Sequence, residues 1–322
     1  MSQFAEKRPL LLSLEEDNTV RAVLAGLSRP QKTLPSFLFY DARGSELFEK
    51  ITRLPEYYPT RVETAILEAA AGEIAQHTLS GAVLVEFGSG SSRKTEILLG
   101  TLPNLFAYLP IDVSQSALDE ACARISARFP DLQVIPTLGD FGEALFLPES
   151  LGQRQRVGFF PGSTIGNFVP ADARDLLSHM SKTLGSSGKL VIGVDLRKDL
   201  SILLPAYDDA AGVTAEFNAN ILARLNREMG ANFDLRRFDH KATFNAAEGR
   251  IEMHLVSRRA QRVTVFGRNF YLLAGESIHT ENSYKYTILQ FQQLAERAGW
   301  SSCKVWTDPE NLFSLHEMAI AP

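Results

Sequence analysis

The sequence predicts an α/β protein whose doubly wound parallel sheet is interrupted after its fifth strand by a smaller α+β module. Three observations carry this. Between residues 82 and 195, short continuous apolar segments alternate with helical ones, the pattern of strands covered by helices on both faces. From residue 198 to about 280 the alternation stops and period-two segments take over. A helical segment and two strand-like ones then return. A chain of 322 residues, 45% hydrophobic and 22% charged, can build one large globular domain or two ordinary ones.

In order along the chain, residues 46–53 are expected to be helical with Ser45 as N-cap. Residues 54–61, punctuated by Pro55 and Pro59, are expected to form an ordered loop or extended arm. Thr60 and Glu63 have the spacing of a capping box opening a helix to about His77. Residues 82–87, 106–111, 132–138, 157–160 and 189–195 read as strands. Residues 93–100, 115–128 and 171–184 read as the helices among them, the last ended by Gly185. In the interrupting module, Phe217, Ile221, Leu225 and Met229 recur on one helix face. Ile251, Met253 and Leu255 alternate with Glu252 and His254, and Val263 and Val265 follow the same period. Turns at Glu248-Gly249 and Phe266-Gly267-Arg268 make these segments antiparallel hairpins. Residues 286–299 read as a helix, and 304–307 and 314–320 as final strands. The expected domains are 62–197 plus 286–322 for the sheet, and 1–61 plus 198–285 for the second module. The N-terminal segment joins the latter because the sheet offers it no place.

Composition narrows the function classes. A net charge of −5 argues against a broad electrostatic grip on nucleic acid or an anionic membrane. Cys122 and Cys303 are the only cysteines, which excludes a disulfide scaffold and a cysteine-rich zinc site and fits a reducing cytoplasm. The first 18 residues do not read as a signal peptide, and the longest uncharged stretch, 157–171, is broken by Pro161, Gly162, Gly166 and Pro170. A cytoplasmic, monomeric protein without nucleic-acid or membrane partners is expected. Histidines at 77, 179, 240, 254, 279 and 316 show no ligand spacing, so no metal is expected.

The sharpest local signal is the strand Val83–Phe87 running into Gly88-Ser89-Gly90 and then into a helix start. Glycines there let a ligand approach the backbone closely, although tight strand–helix turns also use glycine for structural reasons alone. Ser92 stands where a dinucleotide fingerprint has its third glycine, which weakens a pyrophosphate site. Two further features point to a nucleoside. Asp112 ends the next strand, where a carboxylate can accept hydrogen bonds from ribose hydroxyls. Asp140-Phe141 ends the third strand, where an acid and an aromatic can hold an adenine. Lys94, near a helix N-terminus that disfavours cations, fits either a solvated lysine or a partner for a ligand carboxylate. Asn167, after the fourth strand, lies at the sheet edge where open α/β folds bind ligands, although Gly-Asn is also an ordinary turn. Tyr57, Tyr58 and Tyr207 are core aromatics unless something further singles them out.

That something is a resemblance. The segments Phe39-Tyr40-Asp41-Ala42-x-Gly44-Ser45-x-Leu47-Phe48, Ile51–Arg61 (ITRLPEYYPTR), Glu86-x-Gly88-Ser89-Gly90, Gly162–Asn167 (GSTIGN) and Ala206–Asn218 (AYDDAAGVTAxFN) resemble the S-adenosylmethionine-dependent histidine Nα-methyltransferases that make hercynine for ergothioneine biosynthesis. Arg250-Ile251-Glu252-Met253, Thr280-Glu281-x-Ser283-x-Lys285 and Trp306–Pro309 are similar too, so the likeness runs from about residue 35 to the end. It implies a Rossmann-like class I methyltransferase sheet with a substrate-binding domain inserted after the fifth strand. It also implies roles. Gly88, Lys94, Asp112, Asp140 and Phe141 would hold S-adenosylmethionine. Asn167 and Tyr207 would position the backbone of the amino-acid substrate. Tyr57, Glu281 and Ser283 would recognise the imidazole, with Met253 lining the same pocket. The N-terminal arm and the insert would then act as a lid over the strand ends, and an enclosed pocket suits a free amino acid.

The implied reaction transfers three methyl groups in succession to the α-amino nitrogen of L-histidine. In-line displacement at a sulfonium needs alignment more than a metal or a covalent intermediate. The amine must first lose its proton. Two positive charges ~4 Å apart repel by about 4 kcal/mol at an effective dielectric near 20, enough to lower an amine pKa by roughly 3. A tyrosine or water relay would therefore suffice, and no catalytic base is assigned. Three other readings remain open on the residues: an NAD-dependent oxidoreductase, a nucleotide-binding signal module, and an N-methyltransferase of another aromatic amino acid. Ser92 and the lack of an obvious proton-donating histidine in the sheet count against the first. The polar residues gathered for a second ligand count against the second.

Overall fold

The computed structural model describes residues 10–321 except 91, 92 and 103, with backbone only at 10–17 and 93. It divides into two compact units, Met1–Tyr57 with Asp199–Asn282 and Tyr58–Lys198 with Ser283–Pro322.

The chain opens with helix α1 (Leu10–Leu27), the short strand β1 (Lys32–Thr33) and helix α2 (Ala42–Ile51). Helix α2 starts at Ala42 rather than Glu46, because Asp41 and not Ser45 is its cap: the Asp41 carboxylate accepts the Gly44 amide at 2.7 Å. Helix α3 (Tyr58–Gln76) likewise begins before the capping box at Thr60. Pro59 lies in its first turn, where a missing N–H costs nothing, and Glu63 turns its carboxylate to more distant partners instead.

The sheet unit continues through β2 (Val83–Phe87), α4 (Arg93–Thr101), β3 (Ala107–Asp112), α5 (Gln115–Arg128), β4 (Gln133–Val134), β5 (Thr137–Leu138), β6 (Arg156–Phe160), α6 (Pro170–Leu184) and β7 (Lys189–Asp195). The single strand expected over 132–138 is two fragments, since Pro136 has no N–H to give a neighbouring strand. The second unit resumes with α7 (Leu200–Leu203), α8 (Val213–Glu228) and β8 (Phe238–Asn245), β9 (Arg250–Ser257), β10 (Gln261–Val265), β11 (Arg268–Leu272) and β12 (Ser277–Tyr284). Helix α9 (Ile288–Glu296) and strands β13 (Trp300–Thr307) and β14 (Phe313–Ile320) return to the sheet. Helix α9 is shorter than the segment 286–299 because a Thr287–Gln290 capping box fixes its start.

The main sheet has the order β13-β14-β7-β6-β2-β3-β4, with β5 also on β3. Strands β2 to β7 run parallel, and β14 is antiparallel to β7. This is a doubly wound, Rossmann-like sheet extended at one edge by antiparallel strands. Successive residues of β2 explain why it is buried on both sides. Val83, Val85 and Phe87 face a cluster with Leu176, Leu177 and Met180 of α6, while Leu84 faces Ile66, Leu67 and Leu98 of α3 and α4. The order reverses between β2 and β6, which makes their carboxyl ends the topological switch point where such folds bind ligands.

In the other unit, β1-β12-β9-β8 form a sheet and β10-β11 a separate hairpin. Met253 and Leu255 of β9 point into a core shared with Phe217, Ile221 and Leu225 of α8, and Ile251 is buried at the alternate position before them, as their spacing predicts. The β10–β11 turn has Phe266 at φ 47° and Gly267 at φ 74°, the pair of positive angles a type I′ hairpin needs. Among the described residues no helix is long and apolar enough to cross a membrane.

Candidate active site

At the switch point, β2 ends in a turn that only glycine enters without strain. Gly88 has φ 74° and Gly90 φ 40°. The Gly88 amide donates to the Ile111 carbonyl at 2.8 Å, which fastens the turn to the end of β3. A Cβ at Gly88 would stand 3.3 Å from Cε1 of Phe141. Phe141 in turn packs edge-on against Phe160 of β6, with ring centroids 5.7 Å apart. The Gly139 amide donates to the Asp112 carbonyl at 3.1 Å, holding the loop that carries Asp140 and Phe141 beside β3. Gly88, Asp112, Asp140 and Phe141 thus gather on one edge of the sheet. Asp112 is half-buried and Asp140 exposed. Oδ1 of each accepts a nearby amide, Ser114 at 2.9 Å and Gly142 at 2.7 Å. Ser92 lies outside the described residues.

Lys94 has a partner inside the protein. Its ammonium donates to the buried Glu63 carboxylate, which also accepts the Gly162 amide at 2.8 and 2.9 Å. Gly193 of β7 makes room for this pair, since a Cβ there would fall 2.0 Å from Glu63 Oε1. The pair pins α3 and α4 to the turn after β6, and that turn leads through Ser163, at φ 55°, into a 3-10 turn ending at Asn167. Asn167 is half-buried. At Gly166 a Cβ would lie 2.9 Å from the Tyr284 carbonyl oxygen, so this turn is packed against the end of β12, next to Ser283.

A buried network closes this side. Asp195, at the carboxyl end of β7, accepts from Tyr58 at 2.8 Å and Lys285 at 2.6 Å, and it is ion-paired with Lys198. Its backbone amide donates to Ser163 Oγ at 2.9 Å. Burial would raise the Asp195 pKa, but the ammoniums of Lys285 and Lys198 overcome this and hold it below the usual carboxylate range. Burial likewise pushes Lys198 down to about 8, against the pull of Asp195. Lys285 Nζ also donates to Ser283 Oγ at 2.8 Å.

In the other unit, Tyr57, Tyr207 and Glu281 come close enough to act electrostatically on one phenol, Tyr40. Tyr40 is 43% exposed as a whole residue; crowding by its neighbours first, and then Glu281, Tyr57 and Tyr207, raise its pKa above the ordinary tyrosine value. Tyr40 lies edge-on to Phe48 and Phe217, and Phe48 edge-on to Tyr57, so aromatic rings wall this polar group. Met253 is buried in the core against which Tyr57 and Tyr207 pack. The loop holding Tyr207 is fixed by His240, whose Nε2 donates to the Tyr207 carbonyl at 2.8 Å while its Nδ1 faces Asn218 Nδ2 at 2.8 Å. Residue-by-residue reasoning missed Tyr40, although it stands in the Phe39-Tyr40-Asp41 segment. A tyrosine in an aromatic stretch reads as core until its polar neighbours are known.

Glu252, His254 and His279 also converge, their potential ligand atoms within 4.8 Å of one another. Spacing could not reveal this, because His279 arrives from the adjacent strand. The imidazoles stack, with centroids 4.8 Å apart and planes at 24°, so their in-plane lone pairs lie side by side rather than meeting at one point. Glu252 Oε1 is taken by Asn245 and Arg250 at 2.9 and 2.8 Å. The desolvation penalty on Glu252 is outweighed by Asn245, Arg250 and His254, which bring its pKa to about 2.

Comparison with known proteins gives the family. The chain matches the family described as "Histidine-specific methyltransferase, SAM-dependent" over residues 19–320. It is 45% identical over 301 residues to the histidine N-alpha-methyltransferase of Mycolicibacterium smegmatis, covering 92% of each chain. It is 41% identical over 300 residues to the protein of the same name from Mycobacterium tuberculosis, again covering 92% of each. Ergothioneine biosynthesis protein 1 of Neurospora crassa is 31% identical over 312 residues, which are 93% of this chain and 35% of that protein. With a match spanning nearly its whole length, the chain belongs to the histidine-specific, S-adenosylmethionine-dependent methyltransferases.

Proposed function

We propose that this enzyme methylates the α-amino nitrogen of free L-histidine three times in succession, giving hercynine. S-adenosylmethionine supplies the methyl group as an electrophile on a sulfonium. The turn at Gly88 fits such a ligand, because a side chain there would fill the space beside Phe141. In this reading Asp112 accepts from the ribose hydroxyls, Asp140 and Phe141 hold the adenine, and Lys94 stands on the side of the ligand's carboxylate. Asn167 and Tyr207 hold the amino-acid backbone of the substrate. Tyr57, Glu281 and Ser283 contact the imidazole, and Met253 packs beneath them.

The observation that carries the substrate assignment is the Glu281 carboxylate grouped with the phenols of Tyr40, Tyr57 and Tyr207. A carboxylate that accepts an imidazole N–H gives a histidine site its selectivity, because a phenyl ring would leave that charge without a partner. The raised pKa of Tyr40 keeps this phenol neutral near pH 7–8. Tyr40 is thus a neutral hydrogen-bonding group at that pH, and no catalytic base is assigned. The test is mass spectrometry of the purified protein incubated with S-adenosylmethionine and a pool of free amino acids. Histidine carrying three added methyl groups is the expected product. Methylation of a different amino acid, with histidine untouched, overturns the reading.

A further inference from the structure

We propose that His240, held in one tautomer by Asn218, is a positioning residue that sets the side-chain length the site accepts. It ties the loop of Tyr207, at the amino-acid end of the substrate, to the sheet that carries Glu281 at the ring end. The proposal rests on the placement of Tyr207 and Glu281 given above, and deepens it.

Tyr207 lies in the loop between α7 and α8. Asp209 fastens the far end of that loop, its carboxylate accepting the amides of Val213 and Thr214 at 3.0 and 2.7 Å where α8 begins. His240 fastens Tyr207 itself. It stands on β8 with its side chain 3% exposed, and its Nε2 lies 2.8 Å from the Tyr207 carbonyl oxygen. Strands β8 and β12 belong to one sheet, with β9 between them. The bond therefore sets Tyr207 against the same frame that carries Glu281.

An imidazole can hold a carbonyl only from the nitrogen that bears its proton, and residue type does not say which one that is. Asn218 does. Its side chain is buried, with 0% of the residue exposed. The amide nitrogen donates to His240 Nδ1 at 2.8 Å and to the His254 carbonyl at 3.1 Å, and the amide oxygen accepts from Thr280 Oγ1 at 2.7 Å. An amide nitrogen has no lone pair to offer. Nδ1 is therefore the acceptor, and the ring proton sits on Nε2, aimed at Tyr207. Turning the amide over would set its oxygen against the His254 carbonyl. It would also draw the ring proton to Nδ1 and leave Nε2 facing the Tyr207 carbonyl, acceptor against acceptor. Two such buried mismatches exclude that arrangement. Thr280 is the residue before Glu281, so the same amide braces β12 beside the ring contact. With both grips referred to one frame, a side chain longer by one methylene cannot keep its ring on Glu281 and its amino-acid end on Tyr207 together.

Two substrate analogues separate spacing from ring chemistry. Homohistidine is longer by one methylene and reads the spacing, whereas phenylalanine lacks the ring nitrogens and reads the ring contact. Wild type should prefer histidine to homohistidine in kcat/KM at least about tenfold. His240→Asn keeps an acceptor for Asn218 but falls short of the Tyr207 carbonyl. It should cut that preference at least about threefold and leave the preference over phenylalanine as in wild type. His240→Gln, whose amide nitrogen takes the place of Nε2, should restore the homohistidine preference to within about twofold of wild type. A merely structural role for His240 would lower activity on all substrates in proportion and leave both ratios unchanged in both variants. NMR of the isotope-labelled imidazole, with its signals assigned by their loss in His240→Gln, should show the wild-type ring protonated at Nε2 and bare at Nδ1. If His240→Asn fails to fold, Nε2 must still carry the proton and His240→Gln must still hold the preference. The proposal is overturned by an unchanged homohistidine ratio in His240→Asn, by an equal loss of the phenylalanine preference, or by no recovery in His240→Gln. A proton on Nδ1, or a wild type that uses homohistidine as well as histidine, overturns it too. Wild-type histidine kinetics in Tyr207→Phe, or failure of wild type to methylate histidine at all, instead refutes the reading on which it rests.

Discussion

Replacing Gly88 by alanine tests whether the turn after β2 is a ligand cradle or merely a turn. Two effects can be separated from the geometry. Gly88 sits at φ 74°, a left-handed conformation that costs an L-residue about 1–2 kcal/mol. That cost alone should lower the Tm by about 2–8 °C, at roughly 2–4 °C per kcal/mol. The second effect is local. The new methyl would lie 3.3 Å from Phe141 Cε1, and Phe141 cannot simply retreat, because Phe160 is packed edge-on against it. The methyl therefore intrudes on the space proposed for the nucleoside. Cofactor affinity should fall at least tenfold, about 1.4 kcal/mol. Gly81 supplies the control. It has φ 78°, precedes the opposite end of β2, and has nothing within 4 Å of where its Cβ would be. Gly81→Ala should lose comparable stability and keep wild-type affinity. Thermal unfolding followed by circular dichroism reads the first effect, and titration calorimetry with S-adenosylmethionine reads the second. If Gly88→Ala binds the cofactor as wild type does while losing the same stability as Gly81→Ala, Gly88 is a structural turn glycine and the cradle argument fails.

Asp112→Ala should weaken S-adenosylmethionine binding by ~1–3 kcal/mol through loss of ribose hydrogen bonds to a charged acceptor; unchanged calorimetric affinity would remove the ribose assignment. Glu281→Ala should cut kcat/KM for histidine at least roughly tenfold and relax discrimination against phenylalanine. Wild-type kinetics and selectivity in that variant would reduce the substrate reading to a small amine of unknown identity. His316, on β14, is fully buried and its pKa is pushed down to about 3 by desolvation. Its folded pKa lies below the unfolded 6.5, so on acidification the unfolded chain takes the proton first and stability falls from pH 6.5 toward 3, by about 2 kcal/mol at pH 5. In His316→Leu the loss of stability between pH 7.5 and pH 5, measured by urea unfolding, should be smaller by that amount; an equal loss in both proteins would contradict it.

The parts of the fold that were legible are those where local pattern and tertiary environment agree. Strands β2, β3, β6 and β7 are apolar on both faces and carry their own signal. Strand β13 showed only its last residues, because it is an edge strand whose Ser301, Ser302, Cys303 and Lys304 are exposed and follow no hydrophobic period. Strand β12 was missed altogether: Ser277, His279 and Glu281 are polar because they sit on a face that is not core. Helix starts were misplaced where two capping signals competed, as at Asp41 and Ser45. The glycine turn was legible because positive φ leaves a mark on residue type. The Asp195 network left none, since Tyr58 and Lys285 lie 137 and 90 positions away from it.

The same contrast separates the carboxylates that build the site from those that serve it. Glu63, Glu86 and Asp195 are each 1% exposed. Glu63 is held by Lys94 and the Gly162 amide, Glu86 by the hydroxyls of Thr95 and Tyr108, and Asp195 by Tyr58, Lys198 and Lys285. An ion at that depth is tolerable only when its partners surround it, so these groups fix α3, α4, β3 and the turn after β6 relative to the strand ends. Asp112 and Asp140 differ. Each uses Oδ1 on one local amide, which orients the carboxylate, and among the described residues no partner occupies Oδ2. A carboxylate aimed by a single backbone bond at the edge of a rigid sheet is preorganised for a hydroxyl or amino group from outside the chain. Depth and saturation of partners, rather than residue type or motif, thus distinguish the two sets. It is also why a sequence that displays Glu86 and Asp112 with equal clarity does not say which one meets the ligand.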